Sequence, residues 1–287
     1  MQLTEVSAKT GYVWFRQGLW LFRKNPFAFL TLVILYTFVA MLVAWIPVFG
    51  AVALPLLFVP GFAAGFMAAG REAVMGKPVF PTMLFDGFVA HGKPAAHRLL
   101  WLGLLYMVIM ALETGLLTLL VLSTVDNSLL AQIIKTGMAP MPGNDAAVPN
   151  GLLTIMLACL AWQILSMLIT LVFWLAAVTS AWHDASPAKA LFFSVVGVWR
   201  NRGAFLVYGA LWYGVMIIVP SLLSFVMMKM GMDLGTVQMV MMPVLLVIFT
   251  MIGCSLYAVY RGCFGVQEQA PQPGAHDTGA RGNDLDA

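Results

Sequence analysis

Residues 27–45 hold nineteen consecutive side chains without a charge. A helix of about 20 apolar residues reaches across the roughly 30 Å hydrocarbon core of a bilayer. Within that core only helices and closed barrels satisfy every backbone polar group. Five further stretches repeat the pattern, at about 48–69, 99–122, 152–181, 204–227 and 239–260. Among all six the single charged side chain is Glu113. The chain as a whole is 61% hydrophobic and only 9% charged, against about 25% charged in soluble domains. A soluble fold so poor in charge would leave its surface uncovered. The sequence therefore predicts an all-α integral membrane protein with one six-span domain over residues 1–265.

The first stretch reads as a span that is retained. A cleaved signal carries about 7–15 apolar residues behind a short basic segment and ends on small residues. Here nineteen uncharged residues follow a 26-residue lead, and no small-x-small site ends the run.

Basic residues set the expected orientation. Lys9, Arg16, Arg23 and Lys24 precede span one, and Arg71, Lys77, Lys93 and Arg98 lie between spans two and three. Lys189, Arg200 and Arg202 lie between four and five, and Arg261 and Arg281 follow six. Of the fifteen basic residues, Lys135 and Lys229 alone fall on the opposite side. Both termini are thus expected in the cytoplasm, with a multi-pass location in a bacterial inner membrane. The formal net charge of +3 is small, and no soluble basic module is present, so nucleic acid is not an expected partner.

The lead "FRQGLWLFRKNPFAFLTLVILY" from Phe15 joins a cationic segment to the first span. On a helical wheel Lys9, Arg16 and Arg23, with Gln17 and Lys24 beside them, occupy an arc of about 120°. Tyr12, Trp14, Phe15, Leu19, Leu21 and Phe22 hold the remaining face, while Val13 and Trp20 interrupt the polar arc. An interfacial helix over 8–24 is expected, its aromatics in the headgroup boundary and its cations toward anionic lipid. Each cation is worth about 1 kcal/mol near a charged leaflet. Asn25-Pro26 ends that helix, because proline disfavours helical backbone in the residue before it.

"WRNRGAFLV" from Trp199 corresponds to "FRKNPFAFL" from Phe22, and "AHGKPAAHRLL" from Ala90 does so more loosely. In each case a breaker (Pro26, Pro94 or Gly203) follows basic residues and precedes an odd-numbered span. Three two-span units, each led by a cytoplasmic interfacial helix, are expected. Repeats with an even number of spans share one orientation, which suggests pseudo-threefold packing about the membrane normal.

The lead "GYVWFRQGLWLFRKNPFAF", with "GFMAAGREAVMGKPVFP" at the end of span two, resembles a family of uncharacterised six-span proteobacterial inner-membrane proteins. It is more distantly similar to the membrane domain attached to some bacterial glycerophosphodiester phosphodiesterases. In those enzymes the chemistry belongs to a separate soluble domain. The resemblance implies an inner-membrane location and carries over no catalytic residue.

Glu113 is the candidate intramembrane functional residue, since a charge at the bilayer centre costs about 2.5–3.5 kcal/mol on insertion scales. It stands fifteen residues past Arg98, about 22 Å along a helix, in the outer third of the core. Tyr106 shares its face, and Lys229 is a possible partner from the outer surface. Lys9, Arg16, Arg23, Lys24, Arg200 and Arg202 are candidate lipid-headgroup contacts. Gly61 and Gly65 form a G-x-x-x-G that permits close helix approach, and Pro55 and Pro60 invite a kink or an unwound segment. Pro220 and Pro243 invite the same in spans five and six.

His183-Asp184, His91 and His97 read as interface polar residues, because neighbours on a helix point about 100° apart. Cys159, Cys254 and Cys263 read as small hydrophobes. Methionines cluster at "VMMKMGMDLG" and "MVMMP"; thioethers can bind Cu(I), but apolar filler is the expected role. No cofactor, metal or catalytic constellation is expected. The outer loop over 123–150 contains a short helix at "DNSLLAQIIKTG" and a proline-rich connector. The tail over 266–287 is polar and expected to be disordered and cytoplasmic.

Two functions are compatible with this pattern, and an intramembrane enzyme is a poorer third, for want of a pair of catalytic groups. A non-enzymatic membrane or envelope organising protein explains the amphipathic lead and the scarcity of polar lining. The alternative is a transporter of a small molecule or lipid through a pseudo-threefold six-helix bundle, favoured by the repeats, the span prolines and Glu113.

Overall fold

The computed structural model describes residues 3–46, 53–125, 131, 135 and 151–265, and every regular element among them is helical. Helix α1 (Lys9–Lys24) is followed by α2 (Pro26–Ala44) and α3 (Ala53–Val74). A 3₁₀ turn (Pro81–Phe85) runs into the short α4 (Asp86–Val89), then α5 (Gly92–Thr124) and α6 (Leu152–Trp182). Helices α7 (Pro187–Arg200), α8 (Arg202–Lys229) and α9 (Leu234–Phe264) complete the fold. The corner at Pro47, most of the outer loop with its expected short helix and connector, and the tail over 266–287 lie outside the described residues.

Six helices (α2, α3, α5, α6, α8 and α9) are long and apolar enough to cross a membrane. Several run past the apolar stretch that announces them, because intrahelical hydrogen bonding continues through the headgroup region. The three sequence breakers all lie in the first turn of the span they precede: Pro26 opens α2, Pro94 is the third residue of α5, and Gly203 the second of α8. A first turn has no intrahelical partner for its N–H groups, so proline costs nothing there.

Each span pair has a leading segment: α1 before α2–α3, the 3₁₀ turn with α4 before α5–α6, and α7 before α8–α9. The 3₁₀ turn and α4 pack on α3, and α7 packs on α6, as chain adjacency dictates. Helix α1 packs on α9, at the far end of the chain, and on α8. That third contact closes the units into a ring. Helix α3 is the central span, with 61% of its apolar stretch buried against at most 28% in any other.

The docking of α1 corrects the sequence reading of its apolar face. Trp14, Leu21 and Phe22 are buried against protein rather than in the headgroup boundary. The Trp14 ring sits 5.2 Å from Phe205 and 6.2 Å from Tyr208, and Phe15 sits 4.7 Å from Trp212. Close approach depends on glycine: a Cβ at Gly11 would lie 2.1 Å from the Ala204 carbonyl oxygen. Tyr12 and Trp20 stay exposed.

Candidate functional site

Glu113 is buried at the interface of α5 and α6, 8% exposed. The Ser166 hydroxyl lies 2.9 Å from each of its carboxylate oxygens and shares its proton between them. No basic side chain among the described residues pairs with it; Lys229 instead lies over the Phe225 ring at 5.6 Å. The same interface holds Tyr106, whose hydroxyl is 3.0 Å from that of Thr170. Ser166 and Thr170 are one helical turn apart on α6, and Tyr106 and Glu113 two turns apart on α5. A polar seam therefore runs between two otherwise apolar helices. At its basic end Arg98 donates to the Ser180 carbonyl at 3.3 Å and pairs with Asp184. Asp184 adopts left-handed backbone (φ 51°) just past the end of α6, a conformation aspartate tolerates better than most residues.

The C-terminal ends of α3, α6 and α9, the second span of each unit, converge at that basic end. The Arg71 guanidinium lies 4.8 Å over the Trp182 ring, and Trp182 meets Tyr260 edge-on at 5.3 Å. His183 Nε2 and the Tyr260 hydroxyl are 2.6 Å apart. Burial beside these rings holds the His183 pKa below its ordinary 6.5. Arg71 and Lys77 both pair with Glu72, at 3.3 and 3.1 Å. On the rim, burial raises the Asp86 carboxyl above its ordinary range, and nearby His91 and Arg71 partly offset this.

The surface helices expose aromatic side chains with cations laid over them. On α1, Arg16 lies over Tyr12 at 5.9 Å and Lys24 over Trp20 at 5.3 Å. On α7, Phe192, Val195 and Trp199 form an exposed stripe at helical spacing, and Arg202 lies over Trp199 at 5.8 Å. Trp20 is 53% exposed and Trp199 70%. Lys9, Arg16, Arg23, Lys24, Arg200 and Arg202 are all exposed. Arg200 is already committed, its Nε 2.8 Å from Glu5.

The glycine pair of α3 faces the surface segment rather than another span. A Cβ at Gly65 would lie 2.2 Å from the Leu84 carbonyl oxygen, and one at Gly61 would enter the Phe88 ring. Pro55 occupies the first turn of α3, and the helix continues unbroken through Pro60. Helices α8 and α9 likewise run through Pro220 and Pro243, so none of these prolines unwinds its span. Cys254 and Cys263 are buried, and Cys159 is exposed on a spanning helix. Among the described residues no group of three His, Cys, Asp or Glu could hold a metal ion.

Sequence reasoning passed over Ser166, Tyr260 and Asn201. Asn201 is buried between α7 and α8, where its amide donates to the Thr4 and Gly197 carbonyls at 2.9 and 3.0 Å. Its side-chain oxygen accepts from the Val6 N–H at 2.8 Å. Its place in "WRNRG", at the corner matching Asn25-Pro26, was the available signal. Ser166 offers none, because a single hydroxyl in an apolar run is common.

No protein-family model matches the chain, and no solved structure does. A probable inner membrane protein of Burkholderia thailandensis is 50% identical over 275 residues, covering 96% of this chain and 97% of that protein. This match supports a multi-pass inner-membrane location and leaves the likeness to a phosphodiesterase membrane domain without support.

Proposed function

The chain belongs to the same family as this probable inner membrane protein, and on that premise we propose that it is a non-enzymatic membrane-organising protein. Its basic end gathers anionic lipid headgroups. One observation carries the reading: both long surface helices carry an exposed tryptophan with a cation laid over it. Tryptophan is the residue of the membrane–water interface, and cations there gain about 1 kcal/mol each near an anionic leaflet. With the basic end at the cytoplasmic face, both termini are cytoplasmic. The distant phosphodiesterase resemblance enters as shared architecture alone, without chemistry.

The test is lipid enrichment around the protein in vesicles of mixed phosphatidylglycerol and phosphatidylethanolamine, read by energy transfer from the protein's tryptophans to a labelled lipid of either class. Enrichment of the anionic lipid, reduced when Arg16, Arg23, Lys24 and Arg202 are changed to Gln, supports organisation. Equal distribution of both lipids sinks it.

A second reading, transport of a small molecule or lipid, is favoured by Glu113, a buried carboxylate whose partner is a hydroxyl rather than a cation. Uptake of a solute into proteoliposomes that Glu113→Gln abolishes would establish it.

A further inference from the structure

Helices α1 and α7 meet the bundle in opposite ways. Helix α1 buries the large side chains Trp14, Leu21 and Phe22. The buried residues of α7 are small, namely Ala190, Ser194 and Gly197, while Phe192, Val195 and Trp199 are 65, 52 and 70% exposed. At 100° per residue those three fall within about 60° of one another on the helix. We propose that α7 is a membrane-inserted wedge, its outer face entering the acyl boundary of the cytoplasmic leaflet and favouring loosely packed lipid, while α1 stays at headgroup level. The inference rests on the reading that places the basic end at a leaflet. It goes beyond the gathering of anionic headgroups because it needs no charge on the lipid.

Two tethers fix where α7 can lie. Asn201 alone separates Arg200, its last residue, from Arg202, the first residue of spanning helix α8. The Asn201 amide also donates to the Gly197 carbonyl at 3.0 Å, which holds that corner. At the other end residues 183–186 join α7 to spanning helix α6, a reach of at most about 14 Å. Both ends of α7 are therefore tied to span ends at the membrane surface, and lipid is what its outer face meets there. Charge placement then separates the two helices in depth. From Ala190 to Trp199 the chain carries no charge, and its cations stand at the ends, Lys189 before and Arg200 and Arg202 after. Arg202 lies over the Trp199 ring at 5.8 Å, which leaves the charge at the headgroups when the ring sinks. On α1 the exposed Tyr12, Val13 and Trp20 are interleaved with exposed Arg16, Arg23 and Lys24. Sinking that face would draw cations out of water, a cost that the uncharged stripe of α7 does not carry. Interfacial helices bury an apolar face about 5–10 Å into the boundary of headgroups and acyl chains, and their binding depends on curvature and lipid composition.

Spin labels on Val195→Cys and, separately, Val13→Cys in the full chain test this. Cys159→Ala removes the exposed native thiol, and Cys254 and Cys263 are buried. Depth is read from relaxation by oxygen, which concentrates in hydrocarbon, against a water-soluble nickel chelate. In fluid, unsaturated phosphatidylcholine vesicles, which carry no net charge, the Val195→Cys label should lie about 5–10 Å below the phosphates. The Val13→Cys label should lie among the headgroups. The deep label should rise toward water in cholesterol-rich vesicles, where packing is tight, and when Phe192→Gln and Trp199→Gln are added. Lys189→Gln with Arg202→Gln should leave its depth unchanged. A Val195→Cys label open to the chelate in fluid vesicles, or no deeper than the Val13→Cys label, overturns the wedge. Depth indifferent to tight packing overturns the preference for loose lipid. Where the glutamine variants fold poorly, the label depths in fluid and in tightly packed vesicles decide alone. A deep label without anionic enrichment upholds the wedge and removes the headgroup-gathering reading, whereas a shallow label with enrichment does the opposite.

Discussion

The Ser166 hydroxyl on α6 is 2.9 Å from both carboxylate oxygens of Glu113 on α5. Glu113 is the one acidic or basic residue of the six apolar stretches, and among the described residues it meets one neutral donor inside the bundle. Inter-helix hydrogen bonds in membranes contribute less than desolvation alone suggests, averaging about 0.6 kcal/mol with a maximum near 1.7. A double-mutant cycle of Glu113→Ala and Ser166→Ala, followed by thermal unfolding in detergent, should return a coupling in that range. A coupling of zero would mean the carboxylate is held by something other than Ser166.

Gly65 faces backbone rather than side chain. A Cβ there would lie 2.2 Å from the Leu84 carbonyl oxygen, which cannot rotate away as a flexible side chain does. Overpacking of a close contact costs about 1–3 kcal/mol. Gly65→Val should lower the melting temperature and speed amide exchange over residues 81–89. Unchanged exchange there would contradict the docking of this segment on α3.

Asn201 ties the N-terminal segment to the α7–α8 corner through bonds to Val6, Thr4 and Gly197. Asn201→Ala leaves the half-buried Val6 N–H without its acceptor, a loss toward the lower end of about 1–3 kcal/mol. Amide exchange at Val6 should rise sharply while α5 and α6 are unaffected. Protection retained at Val6 would show that the segment is held elsewhere.

His183 gives the basic end a pH dependence. Its pKa is lowered from the ordinary 6.5 by burial, so the folded protein binds its proton less readily than the unfolded chain does. Its contribution to stability is complete above about pH 6.5 and is lost as pH falls through the window down to the lowered folded-state pKa. The melting temperature should therefore drop on acidification from pH 7.5 to 5.5, and His183→Gln should flatten the slope in that interval. An identical slope in the variant would assign the effect to other groups.

The six spans were legible because each is a matter of apolar length, which depends on the bilayer thickness and not on neighbours. The all-α class, the basic bias and the singularity of Glu113 were legible for the same reason. What Glu113 touches was not, since Ser166 stands 53 residues away and its hydroxyl has no periodic signature. The junction of Arg71, Trp182 and Tyr260 was equally hidden, for these side chains come from three helices that are remote in sequence.

The lead helix separates the two kinds of information most clearly. Its amphipathic pattern was determined by residues 9–24 alone, since apolar and charged side chains sort themselves by helical spacing. The pattern calls for an apolar environment without saying which, and lipid or protein would serve equally. Tertiary structure decided for protein at Trp14, because Gly11 lets α1 approach the α8 backbone and the aromatic rings of α8 complete the contact, and at Leu21 and Phe22, which join a cluster with Phe29 of α2 and Phe66 and Ala73 of α3. It left Tyr12 and Trp20 outside, and with them the cations laid over their rings.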